Sequence, residues 1–300
     1  MPLVIECMSD EECELDDAIE GIAEVGFDPH CKTWIAATAR WLRKLTNNRA
    51  FLGDMLIERL KNHDRGDPID SGYGPQAIVL SPRRGDVFLR ANIWPSEQDQ
   101  CFRASGAKTF VYGIPHDHNF SFLTSGYLGP GYQSDYYEYD YGSVAGYAGE
   151  KPELKFVERS ALSEGKMMLY RAHLDIHSQI PPESLSVSLN VMHVDPAQHW
   201  FDQYGFDLDS GEITKVLSPN ATEVFMRVAI STGHHDALDL AEQFGKAHPS
   251  ERLRLATYEA RSLLLDEDTE RDELWREAEL SGSRMLAAVA KGKRAALVSA

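Results

Sequence analysis

The chain has 300 residues, of which 43% are hydrophobic and 26% are charged, a composition typical of soluble globular proteins rather than disordered or membrane ones. Lysine and arginine total 30 against 47 aspartates and glutamates, so the formal net charge is −17. This charge repels phosphate backbones and anionic lipid and removes the electrostatic basis for non-specific nucleic-acid binding. We therefore expect a small-molecule partner, with no nucleic acid and no membrane among the partners.

The opening segment and the cysteines indicate the compartment. The segment MPLVIECMSDEECELDD has no basic region and soon turns acidic, so we expect no secretory signal and a cytoplasmic location. The cysteines show no CxxC spacing, and three of them lie near the start of the chain, where a disulfide framework would constrain little. We expect reduced thiols at Cys7, Cys13, Cys31 and Cys101.

Helical periodicity comes first in the chain and extends over residues 15 to about 63. Apolar residues recur three or four positions apart, beginning with Leu15, Ile19 and Ile22. This pattern predicts two or three amphipathic helices. We assign residues 1–70 to an N-terminal helical segment that packs on the following domain.

Strand-like patterns follow a turn-rich segment, HDRGDPIDSGYGP, at residues 63–75. Between Ala77 and Val194, short runs alternate sides or are rich in β-formers: AIVL, VFLRANIW, KTFVYGI, FSFLTSGY, YYEYDYG, LKFVER, KMMLY and LSVSLNVMHV. About eight strands at this spacing predict a jelly-roll β-barrel over residues 71–210. The fold class is thus mainly β with helical flanks.

Beyond Asp209 the helical period returns, which predicts a C-terminal helical region over residues 211–300. Pro249 suits an early helix position, and Ser250 is a candidate cap. These helices fit dimerisation, protein contacts or cover for the barrel equally well, and a homodimer is left open.

A pair of histidines in the middle of the strand region is the first candidate for chemistry. His116 and His118 are two residues apart, so in an extended segment both rings leave the same face and can reach one metal, while Asp117 points the other way. Neutral imidazoles suit iron, zinc, copper and nickel, and three of them leave positions open for water, O2 or substrate.

The third histidine should come from a strand alongside. We favour His177 in LDIHSQIPPESLSVSLNV, because a turn and a second alternating strand follow it in a hairpin pattern. His173 and His193 are the alternatives. His234 and His235 are expected at a solvated helix start.

The run from Gly113 to Tyr132 with HDH, followed by DIH and LSVSLNV, resembles the cupin superfamily and is most similar to its cysteine dioxygenase and thiol dioxygenase branch. In that branch, three histidines hold ferrous iron, two of them as an HxH pair. The resemblance covers about Val87 to Val194. It implies a cupin-type barrel with Fe(II) at His116, His118 and His177, with zinc, nickel and manganese as alternative metals.

The resemblance extends to Arg90 in VFLRANIW, which precedes the HxH pair at a separation similar to that of the family's carboxylate-binding arginine. A guanidinium near a cationic metal can hold a carboxylate bidentately and orient a small acid toward the metal. The alternative is that Arg90, with Asn92 and Trp94 on the same face, lies on the solvent side of its strand.

The sequence also departs from the family. NFSFLTS, after the HxH pair, has no carboxylate, which implies a three-histidine site and weakens a comparison with manganese oxalate oxidases. The positions of the branch's serine, histidine and tyrosine on the final strand hold Ser188, Asn190 and Met192, and Leu123 stands where some members have a crosslinked cysteine. These departures weaken the case for thiol oxidation.

A tyrosine-rich stretch could supply phenol donors or an aromatic wall: Tyr127, Tyr132, Tyr136, Tyr137 and Tyr139. A tight turn at Gly129, Pro130 and Gly131 would bring Tyr132 near the barrel mouth. We expect Arg90 and Tyr132 to be catalytic and Arg90, Tyr132 and Tyr136 to bind substrate, although tyrosines are also common on half-buried strands.

Three classes of function remain at this point. The first is a non-haem Fe(II)-dependent oxygenase, acting with O2 on a small amino acid or related carboxylate. The second is a non-redox cupin metalloenzyme, such as an isomerase or lyase, with zinc or nickel as a Lewis acid. The third is a ligand-binding or sensing module.

Overall fold

The computed structural model describes residues 1–62, 76–218 and 221–299. The chain divides into two compact units, which are described separately. The first unit comprises Met1–Tyr141 and Glu153–Gln198, and the second comprises Gly142–Pro152 and His199–Ala300. The turn-rich segment at 63–75, with the domain boundary expected there, lies outside the described residues.

Three helices begin the first unit: α1 (Leu15–Val25), α2 (Lys32–Asn47) and α3 (Phe51–Asn62). Their apolar stripes face inward, and Ile22 and Leu42 are fully buried in a cluster that also contains strand residues. Burying one such aliphatic side chain contributes about 1.5–3 kcal/mol. Packing of this stripe against strands, rather than helix propensity, therefore holds the three helices in place.

The strands of the first unit and one short helix, α4, follow in chain order: β1 (Leu3–Val4), β2 (Ala77–Val79), β3 (Val87–Trp94), α4 (Gln100–Ser105), β4 (Phe122–Leu128), β5 (Gln133–Glu138), β6 (Lys155–Ala161), β7 (Met167–Tyr170), β8 (Asp175–Ile180) and β9 (Ser186–His193). They form a six-stranded sheet in the order β1-β7-β4-β9-β3-β2 and a three-stranded sheet in the order β6-β5-β8. Paired strands in both sheets are antiparallel.

The two faces of β3 show how the layers meet. Leu89 and Ala91 belong to the cluster that contains the helices. Trp94, on the opposite face, belongs to an aromatic cluster that also contains Tyr136 of β5 and Tyr170 of β7. The six-stranded sheet thus packs against helices on one face and shares an aromatic core with the three-stranded sheet on the other.

One expected strand does not form. In KTFVYGI, residues Ala107–Phe110 form a 3₁₀ helix, and Val111 has a left-handed backbone with φ of 62°. A β-branched residue rarely takes that conformation, and it ends any extended run. The tyrosine that follows is held by its hydroxyl, which donates to the carbonyl of Pro95 at 2.9 Å. Local periodicity is overridden here by tertiary contacts.

The second unit contains a hairpin and a set of helices: β10 (Tyr204–Asp207), β11 (Glu212–Val216), α5 (Ala221–Ser231), α6 (Ala237–Ala247), α7 (Glu251–Ser262), α8 (Asp268–Glu279) and α9 (Arg284–Ser299). Ser250 caps α7 by accepting a hydrogen bond from the amide of Leu253, as its sequence position predicts. The helical region predicted over residues 211–300 begins instead with a strand, β11, which the sequence pattern did not indicate. Within the described ranges, no helix is both long and apolar enough to cross a bilayer.

Candidate metal centre

Three histidine side chains converge between the two sheets. The Nε2 atom of His177 lies 3.0 Å from that of His118 and 3.2 Å from that of His116. His116 and His177 form an isolated antiparallel bridge, in which each backbone amide donates to the other residue's carbonyl. The HDH segment is therefore outside the regular strands, and it is held against the middle of β8.

Burial keeps these imidazoles neutral. It lowers the pKa of His116, and it lowers the pKa of both His118 and His177 well below the usual value, with the neighbouring histidines adding to the effect. His116 and His177 are buried, while His118 keeps part of its surface accessible. Neutral imidazole is the form that binds a metal.

Hydrogen bonding shows where the lone pairs point. The Nδ1 atom of His116 is 2.7 Å from the carbonyl of Ile114, which can only accept, so Nδ1 carries the proton and the Nε2 lone pair faces the other histidines. Since His177 has at most one proton on Nε2, it cannot satisfy both neighbouring nitrogens. The cluster therefore has acceptor capacity that a shared cation would satisfy.

The spacing of the nitrogen atoms also fits a metal. Two ligands at the usual nitrogen–metal distance of about 2.0–2.1 Å lie about 3.0 Å apart at 90° and about 3.4 Å apart at a tetrahedral angle. The observed 3.0 and 3.2 Å fall in this interval. His116, His118 and His177 are thus a donor set of the right type, charge and spacing for one divalent metal ion.

The alternative histidines lie elsewhere among the described residues. His173 has a left-handed backbone with φ of 61°, and its ring packs 4.3 Å from that of Tyr141. His193 packs edge-on against Phe27. Neither belongs to the group of convergent ligand atoms.

Arg90 lies on the face of β3 that points toward the aromatic core, the same face as Trp94. Its backbone is paired with Asn190 of β9, which in turn pairs with Thr124 of β4. Burial dominates the shifts of the pKa values of His118 and Tyr132, but the positive charge of Arg90 also lowers both. The guanidinium is thus close enough to act electrostatically on the histidine cluster and on Tyr132.

The two expected tyrosines meet a third one. The hydroxyl of Tyr170 lies 3.0 Å from that of Tyr132 and 2.9 Å from that of Tyr136. The Tyr170 ring stacks on Phe122 and lies 5.0 Å from the ring of His177. We call Tyr132, Tyr136 and Tyr170 the tyrosine triad.

Burial keeps the triad protonated. It raises the pKa of Tyr136 to about 12 and those of Tyr132 and Tyr170 well above the usual value. The triad is thus a set of neutral donors beside the histidines. Sequence reasoning missed Tyr170, because the run KMMLY shows only that it lies on a strand and not which residues it faces.

The remaining tyrosines of the stretch have other surroundings. Tyr127 donates to the carbonyl of Asn48, on the helix side of the sheet. Tyr139 donates to the buried carboxylate of Asp117 at 2.5 Å. Tyr137 packs against Phe156 on the three-stranded sheet. The alternation of β5 thus separates Tyr136 from Tyr137.

No protein-family model matches the chain. No curated protein matches it either. Among solved structures, a salicylate 1,2-dioxygenase from Pseudoaminobacter salicylatoxidans in an adduct with gentisate aligns at 11% identity over 56% of this chain and 36% of that chain, with a TM-score of 0.28. A hydroquinone 1,2-dioxygenase from Sphingomonas sp. TTNP3 aligns at 11% identity over 40% and 67% of the two chains, with a TM-score of 0.25.

The DMSP lyase DddQ from Ruegeria pomeroyi DSS-3 aligns at 10% identity over 65% of this chain and 78% of that chain, with a TM-score of 0.26. The chain spans little more than a third of the length of the salicylate dioxygenases with which it aligns. Similarities at this level do not assign an activity to the chain, so its function has to be argued from the histidine cluster and its surroundings.

Proposed function

We propose that the chain is a cupin-type, non-haem Fe(II)-dependent oxygenase that acts on a small amino acid or related carboxylate. The observation that carries the proposal is the convergence of three neutral imidazoles, in which the Nε2 atom of His177 lies 3.0 Å from that of His118 and 3.2 Å from that of His116. Two antiparallel sheets that share an aromatic core support a jelly-roll barrel as the scaffold. The thiol dioxygenase branch remains the most similar group in motif.

In this proposal, His116, His118 and His177 hold the metal. Bound Fe(II) supplies open coordination positions and the redox chemistry for O2. Arg90 orients the substrate through its carboxylate, and this ion pair is strengthened by the apolar, low-dielectric surroundings. Tyr132 is the candidate catalytic donor.

The tyrosine triad gives Tyr132 its orientation. The triad has three hydroxyl protons and two internal hydrogen bonds, so one proton is left for an acceptor outside it. Without substrate, the weak acceptor Sδ of Met168, 3.9 Å from the Tyr136 hydroxyl, can take that proton. Because burial keeps all three phenols neutral, the triad carries no negative charge and can donate a hydrogen bond. Tyr136, through Tyr170, contributes to the same donor surface.

The test is metal content and O2 uptake of anaerobically iron-loaded protein across a panel of amino acids, thiol acids and other small carboxylates. We expect about one iron per chain, retained in His193→Ala and lost in His116→Ala and His177→Ala, with O2 uptake triggered by a substrate. Turnover that continues without O2 would point to a non-redox lyase or isomerase. Wild-type protein that binds no metal would overturn the enzyme in favour of a binding module.

A further inference from the structure

A glutamine lies at the edge of the histidine cluster. Gln179 follows His177 by two residues on β8, so the two side chains leave the same face of the strand. Gln179 is only 4% exposed, and its Nε2 atom lies 3.3 Å from the Nε2 atom of His177. This distance is close to the 3.0 and 3.2 Å that separate the His177 nitrogen from those of His118 and His116, so the amide is a direct neighbour of the cluster.

The backbone fixes the amide in this place. The carbonyl of Gln179 accepts a hydrogen bond from the amide of Gly113 at 2.9 Å, just before the HDH segment. Two residues earlier, His177 is bridged to His116. The strand that supplies the third histidine is therefore hydrogen-bonded both to the HDH segment and to the residues just before it, and the side chain of Gln179 cannot turn outward without breaking these bonds.

The amide oxygen lacks a hydrogen bond where one is needed. The Oε1 atom of Gln179 is buried and has no hydrogen-bond partner within the described part of the chain. An unsatisfied buried acceptor costs about 1–3 kcal/mol. A half-turn of the terminal amide exchanges the nitrogen and the oxygen without changing the side-chain volume. That rotation directs the oxygen lone pairs to the point that the histidine nitrogens face.

We propose that Gln179 is the fourth protein ligand of the metal, through Oε1. The inference rests on the metal site proposed above and changes its ligand set from three donors to four. The sequence predicts no fourth ligand, because the segment after the HDH pair has no carboxylate. The fourth donor comes instead from the strand of the third histidine.

The charge of this ligand set has a consequence for the substrate. Three neutral imidazoles and a neutral amide leave the full charge of a divalent cation uncompensated by its ligands. Arg90 adds a further positive charge close to His118 and Tyr132. Such a centre attracts an anion, whereas a glutamate at position 179 would neutralise one charge. Gln179 therefore favours a carboxylate substrate.

The test uses cobalt(II) as the probe on metal-free full-length protein, with a competing chelator for affinity and the visible absorption of bound cobalt as the spectroscopic signature. Gln179→Leu removes the donor at similar size and is expected to weaken cobalt binding about 10–100-fold and to change the spectrum. Gln179→Glu should bind at least as tightly, with a spectrum of its own. Gln133→Leu is the control, since Gln133 is exposed on the neighbouring strand β5.

The outcomes distinguish the role of Gln179 as a ligand from the existence of the three-histidine metal site. Gln179→Leu with wild-type affinity and spectrum overturns Gln179 as a ligand and leaves the three-histidine site intact. Wild-type protein that binds no cobalt overturns both. Thermal melting of the metal-free proteins shows whether each variant folds. If Gln179→Leu does not fold, Gln179→Glu decides alone: a cobalt spectrum identical to that of the wild type overturns Gln179 as a ligand.

Discussion

Arg171 forms a bidentate ion pair with Asp175 across the turn that leads into β8, the strand of His177. The Nε atom of Arg171 lies 3.0 Å from Oδ2 of Asp175, its Nη2 atom lies 2.6 Å from Oδ1, and its backbone amide also donates to Oδ2. Asp175 is only 1% exposed. The pair thus fixes β8 at its first residue, two positions before the proposed ligand.

We expect Asp175→Asn to lower the free energy of unfolding by about 1–3 kcal/mol, because the half-buried Arg171 loses its two-atom partner and keeps only the ion pair with Glu138. We also expect weaker metal binding, by about 10-fold, through displacement of His177. Urea unfolding and cobalt titration measure the two effects. Asp135→Asn is the control: Asp135 pairs with Arg159 in the same fork geometry at an exposed site, which limits its effect to about 1 kcal/mol or less. Equal effects of the two changes would contradict the prediction.

Tyr170→Phe removes the hydroxyl that both other members of the tyrosine triad contact, while the ring and its stacking on Phe122 remain. We expect a loss of about 1–3 kcal/mol in stability, because buried phenols lose their partner, together with reduced turnover at unchanged metal content. Thermal melting, iron content and O2 uptake are the measurements. Tyr127→Phe is the matched control, since its hydroxyl bonds on the helix side. Unchanged turnover in Tyr170→Phe would exclude a role for the triad.

Arg90→Lys keeps the charge but loses the planar fork that fits a carboxylate. For the substrate found by O2 uptake, we expect KM to rise about 10-fold in Arg90→Lys and further in Arg90→Gln, with iron content unchanged. The mutations should leave the KM for O2 near its wild-type value. If the KM for the carboxylate substrate is unaffected in both variants, Arg90 does not bind it.

The parts of the site that the sequence predicted depend on local geometry. His116 and His118 are two residues apart, and a two-residue spacing in an extended segment is enough to place both rings on one side. His177 was selected by a predicted hairpin with the next strand, and that hairpin does not form, because β8 and β9 belong to different sheets. His177 nevertheless lies on a strand beside the HDH segment, through its bridge with His116. The tight turn was visible because glycine tolerates positive φ, and Gly129 and Gly131 have φ of 80° and 78°.

The parts that the sequence missed depend on register between distant strands. The sequence places Tyr170 and Gln179 on strands, but it does not show that one meets Tyr136 and the other meets His177. Those contacts require the packing of the two sheets and the bridge between β8 and the HDH segment. Likewise, Val111 leaves the expected strand because of contacts made by its neighbours, which a short window of sequence does not contain.

The turn before Tyr132 allows a sharp test of packing. A Cβ on Gly131 would lie 1.9 Å from the carbonyl oxygen of Leu162, in addition to the strain of its positive φ. We expect Gly131→Ala to lower the free energy of unfolding by about 3–4 kcal/mol. Gly85→Ala is the control, because Gly85 has φ of 63° but open space around it, and should cost about 1–2 kcal/mol. Urea unfolding measures both, and equal costs would show that the clash is relieved.

In the second unit, burial raises the pKa of Asp202 to about 6, although its carboxylate lies 3.2 Å from Arg252. The folded state therefore binds this proton more tightly than the unfolded state, where the carboxyl has its ordinary pKa of 3.8. The stability that the protonated carboxyl provides is complete below that value and is lost as pH rises through about 6. The loss reaches about 3 kcal/mol when ionisation is complete.

Asp202→Asn stays uncharged, so we expect it to match the wild type near pH 3, below the ordinary pKa of 3.8, and to be more stable by up to about 3 kcal/mol near pH 8. Urea unfolding at the two pH values measures the difference. Asp207→Asn is the control, because backbone amides of Asp209 and Ser210 lower the pKa of Asp207, and its loss should bring no gain at high pH. If the difference between wild type and Asp202→Asn is the same at both pH values, attraction by Arg252 balances burial and the pKa of Asp202 is not raised.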